Sequence, residues 1–324
     1  MDKVTSMKPI DFGIPNKSEL RQYQQQAIIE CSLAFSQGAV RVGLSAPCGS
    51  GKTLISAAIG NWLEIQNVYT CQDHGLQAQF LSDFEPCGAV KLLGRRNYLC
   101  IKHPARNCEL CTWQQPDCIH CLLARDGCVP DPKGNCPCRI TCTYEEAKRA
   151  ALSAKIPVLN TPYLLTEMNY GGAFSGRELV TLDEADLTES ALMSFIEIRI
   201  SDAMAAKYHF QHPRYKTVVA SWQEWAENTL KIVETELQRL QGCWVTDDLY
   251  AQLQLQRLYR KLTFFMLEAD ENWVWDAKTD TFRPIRVAKY AQQFLWRHSR
   301  RWLLMSATLE PWNQLLSDLG VENG

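Results

Sequence analysis

VRVGLSAPCGSGKT, from Val40 to Thr53, is the stretch that decides how this chain folds. Its first half, VRVGLSA (Val40 to Ala46), is rich in branched apolar residues and reads as a short buried strand. Beyond Thr53 come Leu54, Ile55, Ala58, Ile59 and Trp62 at helical spacing. Between them lies APCGSGKT. A strand, a glycine-rich turn and a helix in that order form the context of a phosphate-binding loop. Glycines let the backbone wrap an anion, and the N–H groups that open the helix point at it. Ala46, Pro47, Cys48, Gly49, Ser50, Gly51, Lys52 and Thr53 are therefore candidate nucleotide contacts. Lys52 would reach the β- and γ-phosphates of ATP, and the Thr53 hydroxyl would ligate Mg²⁺. Ala46 stands where the strict pattern has glycine. The bland alternative is a chance glycine-rich turn before a helix, and GKT in this context weighs against it.

Downstream, LVTLDEAD (Leu179 to Asp186) puts Asp183 and Glu184 at the C-terminal end of a buried strand. Asp183 would hold Mg²⁺, directly or through water, and Glu184 would orient and polarise an attacking water. Alone, an acidic pair there is usually a solvated turn; the phosphate loop upstream changes that weighing. Further strands are expected at Val68 to Thr70, Ala89 to Leu93, Pro157 to Asn160, Trp273 to Trp275, FRPIRV (Phe282 to Val287) and WLLM (Trp302 to Met305). Helices are expected at Leu20 to Ser36 and Tyr144 to Ser153, and the chain is mostly helical from Leu187 to Ala269. Two long amphipathic helices in that stretch are marked by Val219 to Leu240 and Leu249 to Phe265. Strands alternating with helices predict an α/β core with a parallel sheet, interrupted by two insertions.

Bulk composition excludes several classes. The net charge is -2, so no global basic field points to nucleic acid. Local charge does: Lys91, Arg95, Arg96, Lys102 and Arg106 fall in an acid-free run, with Tyr98, Trp113 and Tyr144 near it for base stacking. A second acid-free run holds Arg283, Arg286, Lys289, Arg297, Arg300 and Arg301, where a solvated basic face is an equal reading. The N-terminus has no apolar core of signal-peptide length, and no run of about 18 apolar residues suggests a membrane span. These features predict a cytoplasmic chain with no membrane partner.

Nine of the 14 cysteines lie between Cys100 and Cys142. Disulfide staples would be spread over the fold, whereas a metal site concentrates thiolates. Cys108 with Cys111, and Cys118 with Cys121, form two CxxC pairs, a pattern of tetrahedral thiolate coordination. Three readings of these pairs stay open: a separate Zn²⁺, the ligands of a cluster, or reduced thiols without a metal. His103 and His120 read as surface residues rather than ligands.

GSGKT, DEAD and SATL (Ser306 to Leu309), in that order, resemble a superfamily-2 helicase. GRRNYLC (Gly94 to Cys100), CTYEEAKRAA (from Cys142) and LNTPYLLTE narrow the resemblance to the XPD/DinG-like iron–sulfur branch, and FSGRELV to its short phage-encoded members. RQYQ (Arg21 to Gln24) resembles that family's adenine-recognition motif, which makes Arg21 and Gln24 cofactor-binding candidates. YTCQDHGLQAQF resembles motif Ia, with Thr70 and Gln79 in matching places. The fragments run from Arg21 to Gly320. The resemblance implies a RecA-like first motor domain of a DNA helicase, with 5′-to-3′ polarity. It implies a 4Fe-4S cluster on Cys100 and Cys142, with Cys138 and either Cys128 or Cys136; Cys128 is preferred. Ser306, Ala307 and Thr308 would couple ATP state to DNA, and Arg95, Arg96 and Tyr98 would touch single-stranded or forked DNA.

The expected organisation is a motor domain in three pieces, 1–99, 143–186 and 271–324. A cysteine module at 100–142 and a helical arch at 187–270 interrupt it. A complete helicase of this kind has a second RecA-like domain with an arginine finger worth about 10³–10⁵ in rate. The expectation is that this domain lies on another chain or that the sequence is a fragment, so hydrolysis by this chain alone is weak. A phage-encoded chain would work in the host cytoplasm. The rival is a non-translocating, ATP-responsive nucleic-acid-binding protein with a structural metal module. An unrelated P-loop enzyme such as a kinase fits less well, because DEAD and SATL occur together.

Overall fold

The structure is a computed structural model that describes residues 8, 14, 19–72, 74–99, 142–241, 246–309 and 311–321, with side chains from 251 onward in the helix that starts at 246. The described chain divides into two compact units. One comprises Met1–Leu93, Ala150–Arg199 and Asp270–Gly324, and the other Gly94–Arg149 and Ile200–Ala269.

The first unit is built on a six-stranded sheet. Its strands are β1 (Arg41–Ser45), β2 (Asn67–Cys71), β3 (Ala89–Lys91), β4 (Ile156–Asn160), β5 (Arg177–Asp183) and, last in the chain, β9 (Ser299–Ser306), in the order β1-β9-β5-β2-β4-β3. Every pairing is parallel. This is the expected α/β architecture, a RecA-like domain with a parallel sheet. Parallel sheets are covered on both faces, and so their strands read as continuous apolar runs. In β2 every residue is buried, and β9 is buried from Trp302 to Ser306.

Around the sheet lie α1 (Gln22–Ser36), α2 (Lys52–Trp62) and α3 (His74–Phe84). Helix α2 is buried without interruption from Leu54 to Gly60. It is tied to the sheet by a buried polar triad. The Ser56 hydroxyl donates to Thr181 Oγ1 at 2.9 Å, Thr181 donates to Asn67 Oδ1 at 2.8 Å, and Asn67 Nδ2 donates to Ser56 O at 3.0 Å. Each member has a partner, so the triad fixes the register of the helix on β2 and β5 without an orphaned polar atom.

A small antiparallel sheet, β6 (Ile198–Arg199), β8 (Thr281–Pro284) and β7 (Trp273–Asp276), completes this unit. Asp280, in the turn before β8, has φ 48°. The strand expected through Val287 ends at Pro284, which has no N–H to continue a ladder. A helix, Ala288–Phe294, follows instead. The helix Thr188–Ile196 also falls in this unit.

In the second unit, the helices Val219–Arg239 and Thr246–Glu268 pack on each other, as the two amphipathic patterns predict. Trp222, Trp225, Ala226, Thr229 and Val233 form the buried stripe of the first.

Candidate nucleotide site

In a parallel α/β sheet, ligands collect at the carboxyl ends of the strands. Helix α2 begins where β1 ends, and the DEAD residues begin where β5 ends. Between β1 and α2, Gly49 and Gly51 take φ of +77° and +85°, the left-handed region open to glycine. No side chain caps the start of α2. Its first N–H groups, which like those of any helix have no acceptor within it, are left without a side-chain cap. Pro47, Cys48 and Gly49 are exposed at the loop's mouth, whereas Ser50 is buried. Lys52 Nζ donates to Ala46 O at 2.8 Å and to Pro47 O at 3.3 Å, so the ammonium lies along the loop a phosphate would fill.

The RQYQ segment grips this loop. Gln24 is buried; its Nε2 donates to Ser50 O at 2.8 Å and its Oε1 accepts from Arg21 N at 3.0 Å. The Tyr23 hydroxyl donates to the same Ser50 carbonyl at 2.8 Å and accepts from Arg21 Nη1 at 3.0 Å. A Cβ at Gly51 would stand 2.5 Å from Gln24 Nε2. Glycine is thus needed at 51 both for its φ and for the approach of Gln24. The amide of Gln24, expected at an adenine, bonds within the fold, and Tyr23 was not singled out in the sequence at all.

Asp183 and Thr53 border one small cleft with Tyr69, Leu76, Gln79, Phe80 and Asp83. Asp183 Oδ1 accepts from Glu184 N at 3.1 Å, and its Oδ2 accepts from the Tyr69 hydroxyl. Tyr69 is buried beside Phe80, with ring centroids 4.0 Å apart. Burial, then the neighbouring Asp183 charge, holds its phenol well above the ordinary tyrosine range, so it stays protonated and donates. Hydroxyl and carboxylate oxygens are the hard donors that Mg²⁺ takes, and Thr53 and Asp183 fit that ion. Tyr69 is the residue that sequence reading missed. Its signal was a tyrosine in the middle of NVYTC, a short strand in which polar and apolar residues are all buried.

Glu184 sits at φ 53°, ψ 51°, a left-handed conformation for a residue with a Cβ. Strain of this kind persists where surrounding contacts over-determine it. Here Leu187 N donates to Glu184 O at 2.9 Å, beside the Glu184–Asp183 bond. Ser306 Oγ donates to Asp186 Oδ1 and accepts from Thr308 N at 3.1 Å, and Ser306 O accepts from Ala46 N at 3.1 Å. The phosphate loop, the DEAD segment and SATL are therefore joined through Ser306. Ala307 and Thr308 are exposed.

Other candidates fall elsewhere. Arg95 lies 4.5 Å over the Tyr144 ring and 3.5 Å from Glu145, and Tyr98 meets the edge of Tyr144 at 5.6 Å. Tyr144 is buried, which corrects its reading as a base-stacking ring; Arg96 is exposed. Thr70 is buried and donates to Thr181 O at 3.0 Å, while Gln79 is exposed at the cleft. In the second basic run, Arg283 pairs with Asp276 at 2.6 Å and Lys289 with Asp270 at 3.2 Å, as a solvated face would. Cys100, Cys108, Cys111, Trp113, Cys118, Cys121, Cys128, Cys136 and Cys138 lie outside the described residues; Cys142 is described and half-buried. Among the described residues no group of three or more His, Cys, Asp or Glu is placed to hold a metal ion. Nor is any described helix long and apolar enough to cross a membrane.

Residues 17–91 match the family model of the type III restriction enzyme res subunit. No curated protein sequence matches the chain. Among solved structures, an XPD helicase superposes with a TM-score of 0.60 at 16% identity, over 94% of this chain and 61% of its own. A truncated XPD gives 0.55 at 17% identity, over 94% of this chain and 98% of its own. An apo XPD gives 0.53 at 14% identity, over 94% and 56%. This chain thus spans 61% of the length of the first of these. At such identities the likeness is one of fold, a helicase-type RecA-like domain, and function must be argued from the site.

Proposed function

We propose that this chain is the ATP-binding first motor domain of an ATP-dependent DNA helicase that translocates 5′ to 3′ on single strands. One observation carries the reading: the phosphate loop, the DEAD segment and SATL meet at the carboxyl ends of adjacent parallel strands, joined through Ser306.

In this reading the loop amides and Lys52 take the phosphates, the lysine leaving the carbonyls of Ala46 and Pro47. Arg21 and Gln24 border the base, with Gln24 also holding the loop. Thr53 and Asp183 hold Mg²⁺, which offsets charge on the β- and γ-phosphates. Glu184 orients the attacking water. Ser306 ties Asp186 to the segment whose exposed Ala307 and Thr308 relay the nucleotide state towards DNA. Arg96, with Arg95 and Tyr98 behind it, faces the DNA. A second RecA-like domain supplies the arginine finger, worth about 10³–10⁵ in rate. Cys100, Cys128, Cys138 and Cys142 hold a 4Fe-4S cluster, and the two CxxC pairs are the place to look for Zn²⁺.

The test is binding of a fluorescent ATP analogue with and without Mg²⁺, followed by ATPase assays with single-stranded DNA. Binding that needs Mg²⁺ for full affinity and is lost in Lys52→Ala is expected, with slow turnover. No nucleotide binding would overturn the reading. Rapid DNA-stimulated turnover by this chain alone would overturn the need for a second domain. Iron, sulfide and zinc analysis of anaerobically purified protein tests the metal module; absence of all three would remove it.

A further inference from the structure

Outside the candidate nucleotide site, the described residues of the second unit include the connection between the helices Asp202–Tyr208 and Val219–Arg239. Its sequence is HFQHPRYKTV, from His209 to Val218. From Ala203 to Gln223 there is no carboxylate, but there are Lys207, Arg214, Lys216 and two histidines. The nearest acids along the chain are Asp202, which lies 3.8 Å from His212, and Glu224.

The loop is built rather than loose. Its inner side is anchored by Phe210 and Pro213, both buried, with Phe210 stacked on Tyr208 at 5.5 Å. The indole N–H of Trp222 donates to Lys216 O at 2.7 Å, and that of Trp225 donates to Gln211 O. Tyr215 N donates to Ser221 Oγ at 3.1 Å, and Tyr215 O accepts from Val218 N at 3.1 Å. Two buried tryptophans thus spend their only polar group on holding this backbone in shape.

What the anchored backbone presents is an aromatic ring. Tyr215 is 56% exposed, among the larger exposures of any big hydrophobic side chain described. The Arg214 guanidinium lies 5.2 Å from its ring centroid, and His209, His212 and Arg214 of the same loop are exposed. A ring held outward on a pinned loop, with the Arg214 cation beside it and no carboxylate in the chain from Ala203 to Gln223, suits an unpaired base stacked between phosphates. A duplex offers no open base face for such a ring.

We propose that the His209–Val218 loop is a contact for single-stranded nucleic acid, in which Tyr215 stacks on a base while Arg214 and Lys216 meet the flanking phosphates. The proposal rests on the motor reading above for the strand's presence, and adds a site in the helical region to it.

The test is fluorescence anisotropy of the full chain with a labelled oligothymidylate over a salt series. Tyr215→Ala is expected to weaken binding about tenfold with an unchanged salt slope, since stacking carries no counterion release. Tyr215→Trp is expected to restore affinity. Arg214→Gln is expected to flatten the slope by about 0.7, the value for one phosphate contact on a single strand, and Arg214→Lys to keep it. Cross-linking to a 5-iodouracil-containing strand is expected to label the peptide that contains Tyr215. Wild-type-like binding by both Tyr215→Ala and Arg214→Gln, or cross-links that all map elsewhere, would overturn the proposal. An unsubstituted chain that binds no single strand would overturn the motor reading itself.

Discussion

Replacing Tyr69 by phenylalanine removes one oxygen from the candidate nucleotide site and little else. The Phe ring keeps its contact with Phe80, 4.0 Å away, so the core beneath the site is preserved. What is lost is the hydrogen bond to Asp183 Oδ2. A bond to a charged group contributes about 1.5–3 kcal/mol. Asp183 is only half-buried, so water replaces part of that, which puts the loss at the lower end. A loss of about 1.4 kcal/mol is tenfold in an equilibrium constant. Deleting a residue that orients a metal ligand costs about 10–100-fold in metal affinity, and the two arguments meet near tenfold. The assay is a titration of Mg²⁺ against a fluorescent nucleotide. Its midpoint in Tyr69→Phe is expected to rise about tenfold, while Mg²⁺-free nucleotide binding, carried by Lys52 and the loop, stays unchanged. An unmoved midpoint, or an equal loss without Mg²⁺, would refute the reasoning. A lower midpoint would mean that Tyr69 competes with the ion for Asp183 instead of positioning it.

Three further outcomes are expected. Gly51→Ala forces a Cβ 2.5 Å from Gln24 Nε2 at φ +85°, so it should lose about 1–2 kcal/mol of stability from the backbone alone and abolish nucleotide binding, read by thermal shift with and without ATP. Gly43→Ala would meet the Trp312 ring at 2.6 Å; overpacking of about 1–3 kcal/mol should appear in chemical denaturation, and a wild-type midpoint would contradict that packing. His298 is held neutral, its pKa lowered from near 6.5 to about 4 by burial and then by the Arg297 charge. Below pH 6.5 the unfolded chain takes up a proton that the folded one refuses. Stability is therefore full above pH 6.5 and falls as the pH drops towards 4, by up to about 3 kcal/mol. His298→Asn should flatten that part of the profile, and a slope equal to that of the unsubstituted chain would refute the assignment.

The strand, glycine turn and helix of the candidate phosphate loop were legible because everything that geometry needs is contiguous. A strand, two left-handed glycines and a helix start are local matters of φ/ψ and apolar period, all within Val40 to Trp62. The same holds for the α/β alternation and for the two long helices, whose buried stripes follow a single period. FRPIRV shows the limit. Its apolar residues suggested one strand, but pairing stops at Pro284 and a helix begins four residues later.

By itself, then, the sequence determined the sheet class, the glycine turn of the candidate phosphate loop and the acidic strand end, because short-range backbone geometry and hydrophobic period dictate them. Only the tertiary structure decided what holds them together. Gln24 bonds to the loop across 26 residues, Tyr69 to Asp183 across 114, and Ser306 to Asp186 across 120. Such pairs carry no periodicity and no local propensity. The last two exist because parallel strands far apart in the chain are brought side by side, which places side chains at or near their ends within hydrogen-bond reach; the first exists because α1 packs on α2 and sets Gln24 against the loop.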